Sequence, residues 1–148
     1  YENLTPKEII HYYTLLQNKK ISPSESDALL REYNLYEKKD VRIKELSRGM
    51  RQLLGFMLTN LQKPKIILLD EPFTGLDPSN MQMMKKKLRE MKNEGKFMII
   101  STHILSFASD ICDRVLFLDH GKIVYQTDKG KVLTEKKLEE LFNEHIGN

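Results

Sequence analysis

The apolar run Ile66-Ile67-Leu68-Leu69, closed by Asp70-Glu71-Pro72, constrains the fold more than any other stretch of the 148 residues. Its length suits a β-strand, and its lack of polar alternation suits a strand buried on both faces of a parallel sheet. Pro72 has no N–H to donate and ends the strand. Two carboxylates therefore stand at a sheet's C-terminal edge, where α/β folds place their ligands. Asp70, at the last strand position, suits a hydrated Mg²⁺, which prefers oxygen ligands and keeps several waters. Glu71, one step beyond the strand line, suits a group that orients or deprotonates a water.

Upstream, Ser47 is a good N-cap, and Met50, Leu53, Leu54, Met57, Leu58 and Leu61 recur at helical spacing over Arg48 to Leu61. The free N–H groups and positive dipole end of such a terminus favour an anion, and Gly49 lets a ligand approach the backbone closely. Taken singly, each feature has a plain alternative: a helix that is only a helix, and a strand with a polar exit.

Order and spacing carry more weight. Leu46-Ser47-Arg48-Gly49-Met50 precedes the strand, Gly75-Leu76-Asp77-Pro78 follows it, and Ser101-Thr102-His103 comes later. In that order the chain resembles the ATP-binding-cassette (ABC) ATPase family over essentially its whole length. LSRGM resembles the signature loop, IILLDE the Walker B strand, GLDP the D-loop, and His103 the switch histidine. The resemblance implies ATP and Mg²⁺ as cofactors, with Asp70 toward the metal and Glu71 polarising the attacking water. It implies that His103 bonds the γ-phosphate, although a histidine after a strand is equally read as a structural hydrogen-bonder. It places Ser47, Arg48, Gly49, Gln52 and Asp77 in the nucleotide-binding set: Ser47 and Gly49 bind the γ-phosphate of ATP held by a second ATPase subunit in a head-to-tail dimer, and Asp77 communicates across that dimer. Asp77 also has a simpler reading, as the residue that caps the helix after Pro78. Arg48 and Met50 depart from the usual family pattern, which has glycine and glutamine there, whereas Arg51-Gln52 keeps the basic-Gln continuation. A signature containing Gly-Met is most similar to those of bacterial exporters whose ATPase and membrane parts are separate polypeptides.

The flanks fit this frame. Thr5-Pro6-Lys7-Glu8 and Ser22-Pro23-Ser24-Glu25 are capping boxes with proline in the first turn. Their helices expose apolar sides at Ile9, Ile10, Tyr13, Leu15 and Leu16, and at Ala28, Leu29, Leu30 and Tyr33. Residues 1–61 are thus expected to form an all-helical, signature-bearing subdomain, and 62–148 the C-terminal part of a RecA-like ATPase core. In that core a helix over 79–93 buries Met81, Met84, Leu88 and Met91 as one stripe, with Lys85-Lys86-Lys87 solvated and Gly95 at its end. Strands at 97–101 and 115–118, with a short helix at 104–111 between them, extend a parallel sheet. Asp119 to Lys122 turns into a hairpin strand at 123–125, and Gly130 and Thr134 bound a last helix. The expected fold is α/β: a partial P-loop-type parallel sheet with a helical subdomain and a C-terminal hairpin and helix.

Composition limits the partners. A net charge of +3 on 30% charged residues does not call for nucleic acid. The single cysteine, Cys112, excludes an internal disulfide, fits a reducing compartment, and is expected to be buried. The four histidines show no zinc-ligand spacing. No apolar run approaches a bilayer span, so any membrane role is expected to run through a transmembrane permease partner, with the chain peripheral at the cytoplasmic face of the cell membrane. The sequence starts at Tyr1 and contains no G-x-x-x-x-G-K-[ST] motif, so it is read as the later part of such a domain, binding ATP weakly on its own. Two other readings remain: a non-transport soluble cassette, and a non-catalytic interaction module.

Overall fold

Local capping sets most of the helix starts. In the computed structural model, which describes residues 1–127 and 134–146, α1 spans Pro6–Leu16 and α2 Pro23–Glu32. Both begin in complete capping boxes: Thr5 and Ser22 accept the backbone N–H of Glu8 and Glu25, whose carboxylates reach back to the cap N–H groups at 2.8 Å. Two 3₁₀ turns, Tyr36–Lys38 and Ile43–Glu45, then lead into α3, Arg48–Leu61. Strand β1 (Ile66–Asp70), helix α4 (Pro78–Asn93) and strand β2 (Phe97–Ser101) follow. Helix α4 ends in a Schellman motif: Gly95 has φ +78°, its N–H donates to Lys92 O at 2.9 Å, and the Lys96 N–H donates to Met91 O at 3.1 Å. These elements belong to one compact unit, Tyr1–Ser101, while Thr102–Asn148 forms a second.

In the first unit β1 and β2 pair in parallel without offset, from Ile66 opposite Phe97 to Asp70 opposite Ser101. The βαβ reading holds, but the strand is not buried on both faces. Ile67 is buried, whereas Ile66 and Leu68 are 64% and 71% exposed, and Phe97 and Ile99 beside them are exposed too. Side chains alternate with period two, so one face of this two-stranded sheet is packed and the other is exposed.

The helices show where apolar spacing misleads. In α1, Ile9, Ile10 and Thr14 face inward, while Leu15 and Leu16 are exposed. Leu15 lies well round the helix from both Ile9 and Ile10, whereas Leu16 shares the face of Ile9 at i+7 and is exposed as the last residue of α1. In α2 the buried row is Ser26, Leu30 and Tyr33, with Ala28 outside it. Tyr33 packs edge-on to Phe56 of α3 at 6.1 Å between centroids, and its hydroxyl accepts a hydrogen bond from Asn60 Nδ2 at 2.8 Å. Burial pushes the Tyr33 phenol above its usual range.

Helix α4 buries Met84, Leu88 and Met91 as the stripe requires, with Met81 half-buried. The adjacent lysines are not a uniform solvated face. Lys85 is buried, and only Lys86 is exposed. Lys87 lies largely covered and bridges Glu32 of α2 and Glu90, the latter at 2.9 Å. Burial opposes its charge, but the hydrogen bonds to the two carboxylates outweigh that and hold the ammonium above the usual lysine range. The long stems lie along packed surface and carry the charges to partners, a behaviour that spacing alone does not report.

In the second unit, α5 (Leu105–Ile111) precedes β3 (Leu116–Asp119), β4 (Lys122–Gln126) and α6 (Glu135–His145). Strand β3 pairs antiparallel with β4 rather than adding a third strand to the parallel sheet. The two-residue turn accounts for the expected hairpin: His120 and Gly121 both have positive φ, +45° and +77°, as a type I′ turn needs, so β4 folds straight back. Ala108, Phe117 and Leu138 form this unit's core, with Cys112 half-buried against it. Thr134 caps α6 by accepting the Lys137 N–H at 3.3 Å; Gly130, expected as the other bound, lies outside the described residues.

The stripe on α4 is tested by substitution. Leu88→Ala is expected to cost about 2–5 kcal/mol in denaturant unfolding, as for other fully buried leucines. Lys86→Ala is expected to stay within about 0.5 kcal/mol. Equal effects would mean that the stripe is not core.

Candidate active site

The parallel register brings the carboxylates to an ordered edge. Asp70 is the last residue of β1 and faces solvent, and the hydroxyl of Ser101, its register partner on β2, donates a hydrogen bond to Asp70 Oδ1. An exposed carboxylate with one oxygen fixed in this way fits a hydrated divalent cation. The Glu71 N–H donates to Ser101 O at 3.0 Å and stands 3.3 Å from Ser101 Oγ. Glu71 itself has φ +44°, in the left-handed region that is uncommon for a residue of its type. That turn takes the second carboxylate off the strand line. A backbone held in an uncommon region needs surroundings that over-determine it. Here these are the bonds to Ser101 and the burial of Pro72 and Phe73 just after it. Ser101 is the residue that sequence reasoning passed over; the signal was present in two five-residue strands that end together.

From Glu71 the chain coils tightly back. The Thr74 N–H donates to Glu71 O and the Leu76 N–H to Phe73 O, each at 3.2 Å, and Gly75 takes φ +79°. The loop ends at Asp77, which caps α4: its Oδ1 accepts the Asn80 N–H at 3.0 Å, and its Oδ2 accepts from Asn80 Nδ2 at 2.5 Å. The simpler reading of Asp77 therefore describes its side chain here.

The N-terminus of α3 lies against this loop. Ser47 is the N-cap, its hydroxyl accepting the Met50 N–H at 3.2 Å, and Arg51 Nη1 donates to Leu46 O just ahead of it. Ser47 and Arg48 are exposed, Gly49 is buried and Gln52 is half-buried in the following turn. Gly49 serves a contact that the sequence does not announce. A Cβ built there would stand 2.4 Å from Gly75 O and 3.2 Å from Gly75 C, so the space a side chain would take is filled by the loop's backbone.

Asp70, Glu71, Ser47, Arg48, Gly49, Gln52 and Asp77 thus belong to one unit, Tyr1–Ser101. His103 belongs to the other, exposed at a bend after β2. Among the described residues no three His, Cys, Asp or Glu side chains gather as a metal cluster, and no helix is long and apolar enough to cross a membrane.

The Asp77 cap gives a pH signature. The hydrogen bond from the Asn80 N–H, opposed by some desolvation, holds the Asp77 carboxyl below its usual range. A depressed folded-state pKa stabilises the fold above the ordinary aspartate value, and that contribution disappears as pH falls through the depressed value. Asp77→Ala is therefore expected to lower Tm at neutral pH, with the gap to the unsubstituted chain closing in strong acid. A gap independent of pH would remove the carboxylate from the account.

Comparison with known proteins places the chain by sequence and by fold. A family model described as ABC transporter matches residues 2–74. An uncharacterised ABC transporter ATP-binding protein of Methanocaldococcus jannaschii is 45% identical over 84 residues, covering 57% of this chain and 32% of that protein. The lantibiotic transport ATP-binding protein SrtF of Streptococcus pyogenes is 38% identical over 104 residues, covering 70% of this chain and 44% of that protein. The chain thus spans less than half the length of these relatives. A solved structure of the ATP-binding subunit of an ABC transporter superimposes with a TM-score of 0.79 at 28% identity, over 97% of this chain and 63% of that one. By sequence and by fold, the chain belongs to the ABC transporter ATP-binding family.

Proposed function

We propose that this chain is the part of a transporter's ATPase subunit that carries the hydrolytic carboxylates and the signature helix. The observation behind the reading is the meeting, within one unit, of the Asp70–Glu71 edge, the capped N-terminus of α3 and the loop that joins them through Gly75. Asp70, oriented by Ser101, holds the water shell of a Mg²⁺, which when bound neutralises charge on the nucleotide's phosphates. Glu71, turned out of the strand line, orients and deprotonates the attacking water. Ser47 and Gly49 offer the N-terminal end of α3 to the γ-phosphate of ATP held by a second ATPase subunit, in a two-fold, head-to-tail dimer. By the same resemblance, His103 bonds a γ-phosphate and Asp77 communicates across the dimer. The 148 residues contain no G-x-x-x-x-G-K-[ST] motif, so the triphosphate cradle is not assigned to them.

In this reading the free energy of ATP-driven closure moves a transmembrane permease subunit, with the chain peripheral at the cytoplasmic face. The lantibiotic transport relative supports a transport role; it does not assign a cargo.

The test is ATP hydrolysis by the protein expressed with its upstream coding sequence, beside its Glu71→Gln variant. Turnover is expected to fall about 10²- to 10⁴-fold in the variant while ATP stays bound, as for the loss of a general base. Undiminished hydrolysis in the variant would overturn the role of Glu71. Absence of both turnover and ATP binding in the unsubstituted protein would favour a non-catalytic interaction module.

A further inference from the structure

Helix α2 ends on an asparagine in the place where helices most often use glycine. Asn34 lies one residue past the C-cap Tyr33 and has φ +56°. Its N–H donates to Arg31 O at 3.1 Å, and the Leu35 N–H donates to Leu30 O at 2.8 Å. That pair of bonds is a Schellman motif with Asn34 at C′, anchored by the fully buried Leu30 and Leu35. Asparagine tolerates the left-handed conformation, although glycine adopts it at lower cost. What glycine lacks is the amide, and here the amide reaches another helix: Asn34 Nδ2 donates to Asn80 Oδ1 at 2.9 Å.

Asn80 stands three residues after Asp77, the N-cap of α4. A capping box would have glutamate or glutamine there, accepting from the cap's own N–H. The shorter asparagine engages the cap's carboxylate instead. Its N–H donates to Asp77 Oδ1 at 3.0 Å and its Nδ2 to Asp77 Oδ2 at 2.5 Å, so one residue holds both oxygens. The orientation of both amides follows from that carboxylate. An ionised carboxylate only accepts, so the NH₂ of Asn80 points toward it and Oδ1 points away; the group of Asn34 that meets this Oδ1 is then its NH₂. Turning either amide round would set acceptor against acceptor.

We infer that Asn80 is a positioning residue for Asp77 and that Asn34 in turn fixes Asn80, so that a chain of side-chain hydrogen bonds runs from the end of α2 to the loop that follows the carboxylate edge. The inference deepens the function proposed above, in which Asp77 communicates across the dimer, and rests on that reading for its functional meaning. The hydrogen-bond chain itself needs no nucleotide, and all three residues lie in the unit Tyr1–Ser101. Exposed bonds of this kind add little to overall stability, because water competes for each group. Their effect is on where the Asp77 carboxylate points rather than on whether α4 forms, since the Asn80 N–H caps the helix without help from Asn34.

The test is NMR on the protein without nucleotide, comparing Asn34→Gly, Asn80→Ala and the double variant. Glycine is the preferred residue at C′ and alanine is a good helix former, so both substitutions delete an amide and spare the fold. One signal is the mobility of the Asn80 side-chain NH₂ from ¹⁵N relaxation. In Asn34→Gly its order parameter is expected to fall from about 0.85, as for rigid groups, to below about 0.6. The other signal is the titration midpoint of the Asp77 carboxyl, read from its ¹³C shift. That carboxyl is held low first by the Asn80 backbone N–H, against some desolvation, and further by the Asn80 side chain. Asn80→Ala is therefore expected to raise the midpoint toward the ordinary aspartate range, and Asn34→Gly to move it the same way. In the double variant the midpoint is expected to match Asn80→Ala alone, because Asn34 acts only through Asn80. An unmoved midpoint in either single variant would overturn the inference. So would an Asn80 amide that stays rigid in Asn34→Gly, or an Asn34→Gly effect that persists undiminished beside Asn80→Ala. Because no nucleotide enters the measurement, its failure leaves the Glu71→Gln result standing, and failure of that result leaves this one standing.

Discussion

The parallel, unshifted pairing of β1 with β2 is the interaction on which the rest of the site depends. It places Ser101 opposite Asp70, and two further bonds follow from that one register: the Ser101 hydroxyl to the carboxylate, and the Glu71 N–H to the Ser101 carbonyl. Slipping the register by one residue would turn every side chain to the other face of the strand. It would also remove the partner that lets Glu71 leave the strand with positive φ. Parallel pairing itself requires a long crossover, supplied by α4. The start of α4 is set by Asp77 and its end by Gly95, so the caps that bound the crossover also bound the site.

What was legible in the sequence is what is decided locally. The capping boxes at Thr5–Glu8 and Ser22–Glu25, the caps at Ser47, Asp77 and Thr134, and the glycine after α4 each act within a few residues, and all of them form as their residue types dictate. The order of the motifs was legible for the same reason. Facts that depend on a distant partner were not. Leu15 and Leu16 are as apolar as Ile10 yet point away from anything to pack against. Lys87 resembles any surface lysine until Glu32 of α2 comes within reach, and Lys85 resembles one until its burial is seen. The exposed face of Ile66 and Leu68 cannot be told from a buried one in a run that is apolar throughout. The hairpin at His120-Gly121 was legible from its turn residues, whereas whether β3 also joins the parallel sheet depends on a distant partner strand.

Gly49 shows how sequence suggests one use for a bare position and structure another. Its lack of a side chain suggests room for a ligand at a helix N-terminus, and the resemblance points the same way. In the structure that room holds the carbonyl of Gly75. The two uses do not conflict, because a helix terminus presents its N–H groups along the axis while the Cβ direction points sideways. A glycine at this position can therefore serve a phosphate through its N–H and a loop through its bare flank.

The polar contacts between the helical part and the β1–α4–β2 part point to a shared mechanical role. Asn34 Nδ2 donates to Asn80 Oδ1 at 2.9 Å, within the first turn of α4. Lys87 joins Glu32, and Lys96 Nζ donates to Asn60 Oδ1 at 3.2 Å. Asn60 in turn holds the Tyr33 hydroxyl. A surface ion pair alone is worth little. These contacts, however, sit beside fully buried Tyr33, Leu88 and Met91, and they engage α4 near its start and along its length, with Lys96 just beyond its end. Helix α4, which follows the carboxylate loop, is thus tied to α2 and to Asn34 just beyond it, and Lys96 past its end is tied to α3, besides the Gly49–Gly75 contact. A displacement at the start of α3 is felt by the loop before Asp77 through the Gly49–Gly75 approach, since packed interfaces shift between arrangements rather than deform continuously.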